Sequence, residues 1–237
     1  MNIFTGELIG TFLLVLLGNG VVANVVLNKT KGNNSGWIVI TLGWGMAVFV
    51  GVFVAAQSSG AHLNPAITVA LAILKKISWE NVPLYLIGQM LGAMLGAFGA
   101  WAAYWQHFKA TDDAAVKLGV FVTSPAMRNV FFNLLTEIIG TFVLVFAVLN
   151  IITPASSLGA LDALPAALVV VGIGLGLGGP TGYAINPARD LGPRIMHAIL
   201  PMGTKSSSDW SYAWIPVIGP FIGGILAALI FQWLVSK

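Results

Sequence analysis

Asn-Pro-Ala occurs twice in this chain, at Asn64-Pro65-Ala66 and at Asn186-Pro187-Ala188. That order of residue types is the order of a helix start. Asparagine is a strong N-cap, because its side-chain oxygen accepts from the N–H of the second or third helical residue. Proline suits the first helical position, where its missing N–H would be unpaired anyway. With the oxygen of Asn64 engaged in this way, its NH2 faces outward as a pure donor, and Asn186 is left in the same state. Each helix start also carries about half a positive charge. Two such tips meeting between apolar walls hold the oxygen of a small polar solute. A water held there points its hydrogens away from the centre on both sides, which interrupts proton hopping, and the helix ends repel cations. One copy reads as an ordinary cap; two copies at matched places in the chain point to a solute site.

The elements that must position these tips are apolar. Of the 237 residues, 57% are hydrophobic and 8% charged, against about a quarter charged in soluble domains. The chain therefore reads as a membrane protein. The net charge of +3 comes from scattered residues and gives no basis for binding nucleic acid. There is no cysteine, so disulfides and thiolate metal sites are excluded. The start Met1-Asn2-Ile3-Phe4 lacks a basic leader, and no cleaved signal peptide is expected. A spanning helix needs about 20 mostly apolar residues. Six stretches qualify, near 3–27, 37–57, 82–106, 130–152, 163–180 and 212–235. The segments at 64–75 and 186–198 are shorter. At about 1.5 Å per residue they reach about 18 Å, roughly half of a ~30 Å core, and read as half-helices.

The chain also repeats itself. Gly6-Glu7-Leu8-Ile9-Gly10-Thr11-Phe12 resembles Thr136-Glu137-Ile138-Ile139-Gly140-Thr141-Phe142. Gly88, Gly92 and Gly96 in the third span answer to Gly219 and Gly223 in the sixth. With the two tripeptides, three landmarks recur in one order. Each half, about 1–107 and 130–237, holds three spans and one half-helix, joined by a polar loop at 108–129. Three is odd, so the second half is inserted upside down, which puts the working site near the midplane. Small residues four apart let membrane helices approach closely. The run Gly172, Gly174, Gly176, Gly178 and Gly179 has no strand before it, which argues against a phosphate loop.

At this point the chain resembles the aquaporin superfamily over nearly its whole length. The resemblance rests on the paired Asn-Pro-Ala motifs, on Ser59-Gly60-Ala61-His62 before the first and on Arg189 after the second. It implies an all-α membrane fold of six transmembrane helices plus two half-helices in two inverted repeats. It also implies a homotetramer in the lipid bilayer of the cell membrane, one pore per subunit, with both termini cytoplasmic. By the same resemblance, the backbone carbonyls of Gly60, Ala61 and His62, and of Gly182, Tyr183 and Ala184, line the pore. A selectivity filter is implied at Trp44, Gly174, Tyr183 and Arg189, counted from the two motifs. Trp with Gly resembles the glycerol facilitators, whereas water-selective members tend to carry Phe and His. Gly174 then makes room, Trp44 and Tyr183 form an apolar corner, and Arg189 donates to hydroxyls. Asp190 after Arg189 is a further marker of the facilitators, and Arg194 lies within pairing distance on the same helical face. Tyr183 departs from the common Phe, and its hydroxyl narrows the passage or adds a hydrogen-bonding group.

The implied function is a passive channel for glycerol, water and other small neutral solutes, not an enzyme, with no cofactor or metal. Protonated small hydroxy acids such as lactic acid are an alternative cargo. An ion-coupled transporter, also built from inverted repeats, is another reading, but the spans hold few ionisable groups beyond Glu7, Glu137 and Arg189. An intramembrane hydrolase lacks a serine–histidine or paired-aspartate arrangement. A carboxylate inside a span costs about 2.5–3.5 kcal/mol, so matched Glu7 and Glu137 need a reason. One is a proton relay; the one the resemblance implies is that each accepts backbone N–H groups and braces a pore loop. His62 braces the same loop, and His107 and His197 have no partners for a metal site. Cytoplasmic termini would leave Lys75, Lys76 and Lys237 inside and Lys29, Lys31, Lys109, Lys117, Arg128 and Lys205 outside. That distribution opposes the positive-inside tendency.

Overall fold

Apolar residues on every side make a helix that must be buried or sit in lipid, and six helices here are long and apolar enough to cross a membrane among the described residues. The structure is a computed structural model and describes residues 1–151 and 156–236. Two ends of the sequence reading, residue 152 of the fourth span and Lys237, lie outside the described residues. The order is α1 (Ile3–Val26), α2 (Trp37–Ser59), α3 (Pro65–Ile73), α4 (Val82–Ala103), α5 (Trp105–Ala110), α6 (Ala114–Phe121), α7 (Val130–Leu149), α8 (Leu164–Leu177), α9 (Pro187–Ile199) and α10 (Ile215–Val235). Short 3-10 turns, Trp79–Asn81 and Gly159–Ala163, lead into α4 and α8. The half-helices are α3 and α9. Lys75 and Lys76 follow the end of α3 and are exposed.

Glycine placement decides which helices pair. α1 packs along α4, and α7 packs along α10. A methyl added at Gly88, Gly92 or Gly96 would lie 2.8, 2.4 or 2.6 Å from the carbonyl oxygens of Phe4, Leu8 and Phe12 on α1. Gly223 stands in the same relation to Ile138 O of α7, at 2.3 Å. Glycines one turn apart thus bring two backbones into contact, the expected way for membrane helices to associate where lipid removes the hydrophobic drive. On α4 a separate stripe, Leu84, Ile87, Leu91, Leu95 and Phe98, is exposed, as a lipid-facing surface requires.

The segment expected as a plain loop at 108–129 contains the end of α5 and the whole of α6. Asp113 caps α6 by accepting from the N–H groups of Ala115 and Val116 at 2.8 and 3.1 Å. Phe108, Val120 and Phe121 are buried, and α6 packs on α1 and α9. Lys117 is buried as well, its ammonium donating to the carbonyls of Met202 and Thr204 at 2.9 and 3.0 Å. A charged residue among apolar ones concealed this element from a reading based on polarity.

A bulky side chain at Gly92 must push α1 from α4. Gly92→Val is expected to cost about 1–3 kcal/mol through overpacking. Gly172→Ala, whose methyl meets nothing within 4 Å, is expected to be neutral or to stabilise by about 0.5–1 kcal/mol. Thermal unfolding of the detergent-solubilised protein, followed by tryptophan fluorescence, measures both.

Candidate functional site

The two half-helices begin alike. Asn64 has φ −157° and ψ 119°, and its Oδ1 accepts from Ala66 N–H at 2.9 Å. Asn186 has φ −154° and ψ 109°, and its Oδ1 accepts from Ala188 and Arg189 N–H at 3.0 and 3.2 Å. The amide nitrogens then cross between the halves. Asn64 Nδ2 donates to Ile185 O and Asn186 Nδ2 to Leu63 O, each at 2.8 Å. One of the two hydrogens on each amide is therefore spent on the partner half, which a reading of either motif alone does not reveal. The second hydrogen remains, and both asparagines line a common cavity of about 190 Å³.

Glu7 and Glu137 hold the loops that enter the motifs. Glu7 accepts from Ser59 Oγ at 2.6 Å, His62 N at 2.9 Å, Leu63 N at 2.7 Å and Gln89 Nε2 at 2.7 Å. Glu137 accepts from Thr181 Oγ1 at 2.7 Å, Ala184 N at 3.0 Å and Ile185 N at 2.9 Å. Both carboxylates are buried. In a trans peptide the C=O points opposite to the N–H of the next residue. The braces therefore turn the carbonyls of Ala61 and His62, and of Tyr183 and Ala184, away from the carboxylates. Ala61 N–H donates to Ser59 Oγ at 3.0 Å, which turns the Gly60 carbonyl likewise. Gly60, Ala61, His62, Tyr183 and Ala184 all line the cavity. Gly182 is not among the residues that line it. The loops bend sharply: Ala61, Leu63, Tyr183 and Ile185 have φ of 53°, 50°, 40° and 46°, a left-handed region that costs roughly 1–2 kcal/mol per L-residue.

The same cavity is lined by the apolar side chains of Leu14, Val48, Val52, Leu144 and Val170. Trp44, Tyr183 and Arg189 also line the cavity. The Arg189 guanidinium lies 4.1 Å over the Trp44 ring, a cation–π contact, and among the described residues it has no ion-pair partner. Gly174 makes room for a ring. A methyl there would meet Thr41 Cγ2 at 2.6 Å and Tyr183 Cζ at 2.9 Å. The space that Gly174 leaves is thus filled by the Tyr183 ring, and Gly174 does not line the cavity. The Tyr183 hydroxyl is buried beside Thr41 Oγ1 without a well-formed hydrogen bond, so it adds no polar group to the passage. Asp190 points away from the cavity: it accepts from Arg194 Nε at 2.8 Å and from Thr123 N and Oγ1 at 2.8 and 2.7 Å. Arg194 is fully buried and also donates to Ser208 O at 2.7 Å.

Over residues 1–231 the chain matches the family described as major intrinsic protein. The chain belongs to the major intrinsic protein family. It is 55% identical over 234 residues to the probable glycerol uptake facilitator protein of Thermotoga maritima, covering 99% of this chain and 100% of that one. It is 50% identical over 227 residues to glycerol uptake facilitator protein 3 of Lactiplantibacillus plantarum, covering 96% and 94%. The X-ray structure of the aquaglyceroporin from Plasmodium falciparum superposes with a TM-score of 0.86 at 29% identity, covering 98% of this chain and 96% of that one. The fold is that of an aquaporin, and members of this family are channels and transporters, not enzymes.

Gln89, Tyr85 and Thr68 also shape this family member's site, and nothing in the motifs points to them. Gln89 joins Glu7 to Thr68 Oγ1, the latter at 2.9 Å. Tyr85 donates to Ser59 O at 2.7 Å and stacks on His62 at 4.1 Å, while His62 Nδ1 meets Thr68 Oγ1 at 3.1 Å. Gln89 is an amide in an otherwise apolar span, and that mismatch alone was available to find it. Ser59 and Thr181 sit at equal distances before the two motifs, a correspondence visible once the repeats are aligned.

Glu137→Leu leaves three buried donors without an acceptor, at about 1–3 kcal/mol each. A loss of about 3 kcal/mol or more in stability is expected, with solute flux reduced at least tenfold in whatever protein folds. Denaturation in detergent and vesicle flux measure the two effects; a variant that unfolds and conducts like the parent contradicts the bracing role.

Proposed function

We propose that the protein is a passive channel for glycerol and, with it, water and other small neutral solutes, and that it excludes protons and ions. One cavity lined by apolar side chains, by the braced loops with their carbonyls and by the Asn64 and Asn186 donors carries this reading. A polyol has the matching shape: a carbon edge on one side and hydroxyls that both donate and accept on the other. Trp44 and Tyr183 receive the carbon edge, and Arg189 donates to hydroxyls at the narrow end. The free amide hydrogens of Asn64 and Asn186 hold an oxygen at mid-passage, where two helix N-termini oppose cations. The relatives named as glycerol facilitators support the same assignment. The channel acts as a multi-pass protein in the cell membrane, as a homotetramer with both termini cytoplasmic and the second half inverted relative to the first.

Proteoliposomes mixed with glycerol in a stopped-flow instrument, followed by light scattering, test the reading. Glycerol permeability is expected to exceed that of empty vesicles at least tenfold, without saturation and independently of any ion gradient. Saturable flux that follows a sodium or proton gradient overturns the proposal in favour of a coupled transporter. A pH-sensitive dye inside the vesicles is expected to report no proton entry while glycerol passes.

A further inference from the structure

We propose that Gly18, on α1 and outside the cavity, sets the width of the passage beside Trp44 and is thereby a specificity-determining residue. The inference rests on the channel reading above and concerns what lies behind its wall. A methyl placed on Gly18 has three nearest heavy atoms, and all belong to the six-membered ring of Trp44: Cζ3 at 2.2 Å, Cε3 at 2.4 Å and Cη2 at 2.4 Å. No backbone atom is among them. Trp44 is 3% exposed, so its ring is seated directly on the bare face of α1. In front of it lie the cavity it lines and the Arg189 guanidinium 4.1 Å away.

The consequence is directional. Real methyl contacts fall near 3.4–4 Å, so the ring must retreat by roughly 1 Å in a close-packed interior. α1 is itself fixed in place by its glycine-mediated contact with α4 on a neighbouring face. The ring therefore yields toward the cavity and narrows it at the place where carbon skeletons pass. The other aromatic side chain of the corner is seated in the same way. Tyr183 is seated on Gly174 and on Gly178, whose added methyl would lie 2.5 Å from Tyr183 Cδ1, while Trp37 closes edge-on at 5.8 Å. Both aromatic walls thus take their depth from glycines that the solute never touches. A loss of about 1 Å discriminates by size: water still fits where a polyol does not.

The test uses proteoliposomes of the full chain and a graded set of solutes, namely water, ethylene glycol, glycerol and erythritol. For Gly18→Ala, glycerol permeability is expected to fall at least tenfold while water permeability stays within twofold of the parent. Retained water flux also shows that the variant folds. Gly20→Ala, two residues along the same helix with nothing within 4 Å of its methyl, is expected to leave the solute order unchanged. Gly18→Ala combined with Trp44→Phe, which trims the ring that clashes, is expected to restore glycerol passage to within threefold of Trp44→Phe alone. An unchanged solute order in Gly18→Ala overturns the proposal. So does a parallel loss of water and glycerol that the second substitution does not restore. If the parent itself passes no glycerol, the channel assignment above fails, while the loss of ethylene glycol relative to water in Gly18→Ala still decides the role of Gly18.

Discussion

A hydrocarbon layer offers no water to an unpaired backbone amide, so a chain can leave helical form there only where something else satisfies it. Glu7 and Glu137 are that something. Each buried carboxylate gathers two consecutive N–H groups from the loop that precedes a half-helix and a hydroxyl from where that loop begins. The loops need such anchoring because four L-residues in them adopt left-handed torsions, which unaided would relax. Conversely, the carboxylates need the loops, since a charge at this depth is expensive unless it is fully hydrogen-bonded. Neither feature is stable alone, and together they set the direction of the carbonyls that face the cavity.

The same reciprocity joins the halves. Asn64 caps its own helix and donates to Ile185 O, whose N–H is held by Glu137; Asn186 caps its helix and donates to Leu63 O, whose N–H is held by Glu7. A disturbance of one carboxylate therefore reaches the asparagine of the opposite half through a single residue. The remaining amide hydrogens have little freedom of direction, which is what orienting a passing oxygen requires. Arg189 owes its position to a separate lock. Its neighbour Asp190 is tied to Arg194 and Thr123, and Arg194 reaches the carbonyls of Ser208 and Asp209 at 2.7 and 3.1 Å. A buried ion pair of this kind is weak evidence for stability; here it fixes the first turns of α9 and, among the described residues, leaves Arg189 without an ion partner above Trp44.

Helix contacts carry the remaining precision. Glycines at one-turn spacing draw α4 onto α1 and α10 onto α7, and single glycines elsewhere receive the aromatic rings that bound the cavity. Absence of a side chain thus does two jobs in this protein, close approach of backbones and seating of rings.

Much of this was readable in the residues. Six long apolar stretches, two short ones beginning Asn-Pro and a repeated order of landmarks specify spans, half-helices and the number of each, because hydrophobic length and capping are local properties. The paired types of Glu7 and Glu137 marked something shared by the two halves. What the residues alone left unstated is relational. They did not reveal that each asparagine spends a hydrogen on the other half, that Gln89 and Tyr85 complete the first brace, that Tyr183 fills the space beside Gly174, or that a buried lysine lies in a helical connection. Each of these depends on the distance between segments far apart in the chain. Local chemistry determined what every element is; the packing of those elements against one another decided which atoms are left facing the passage.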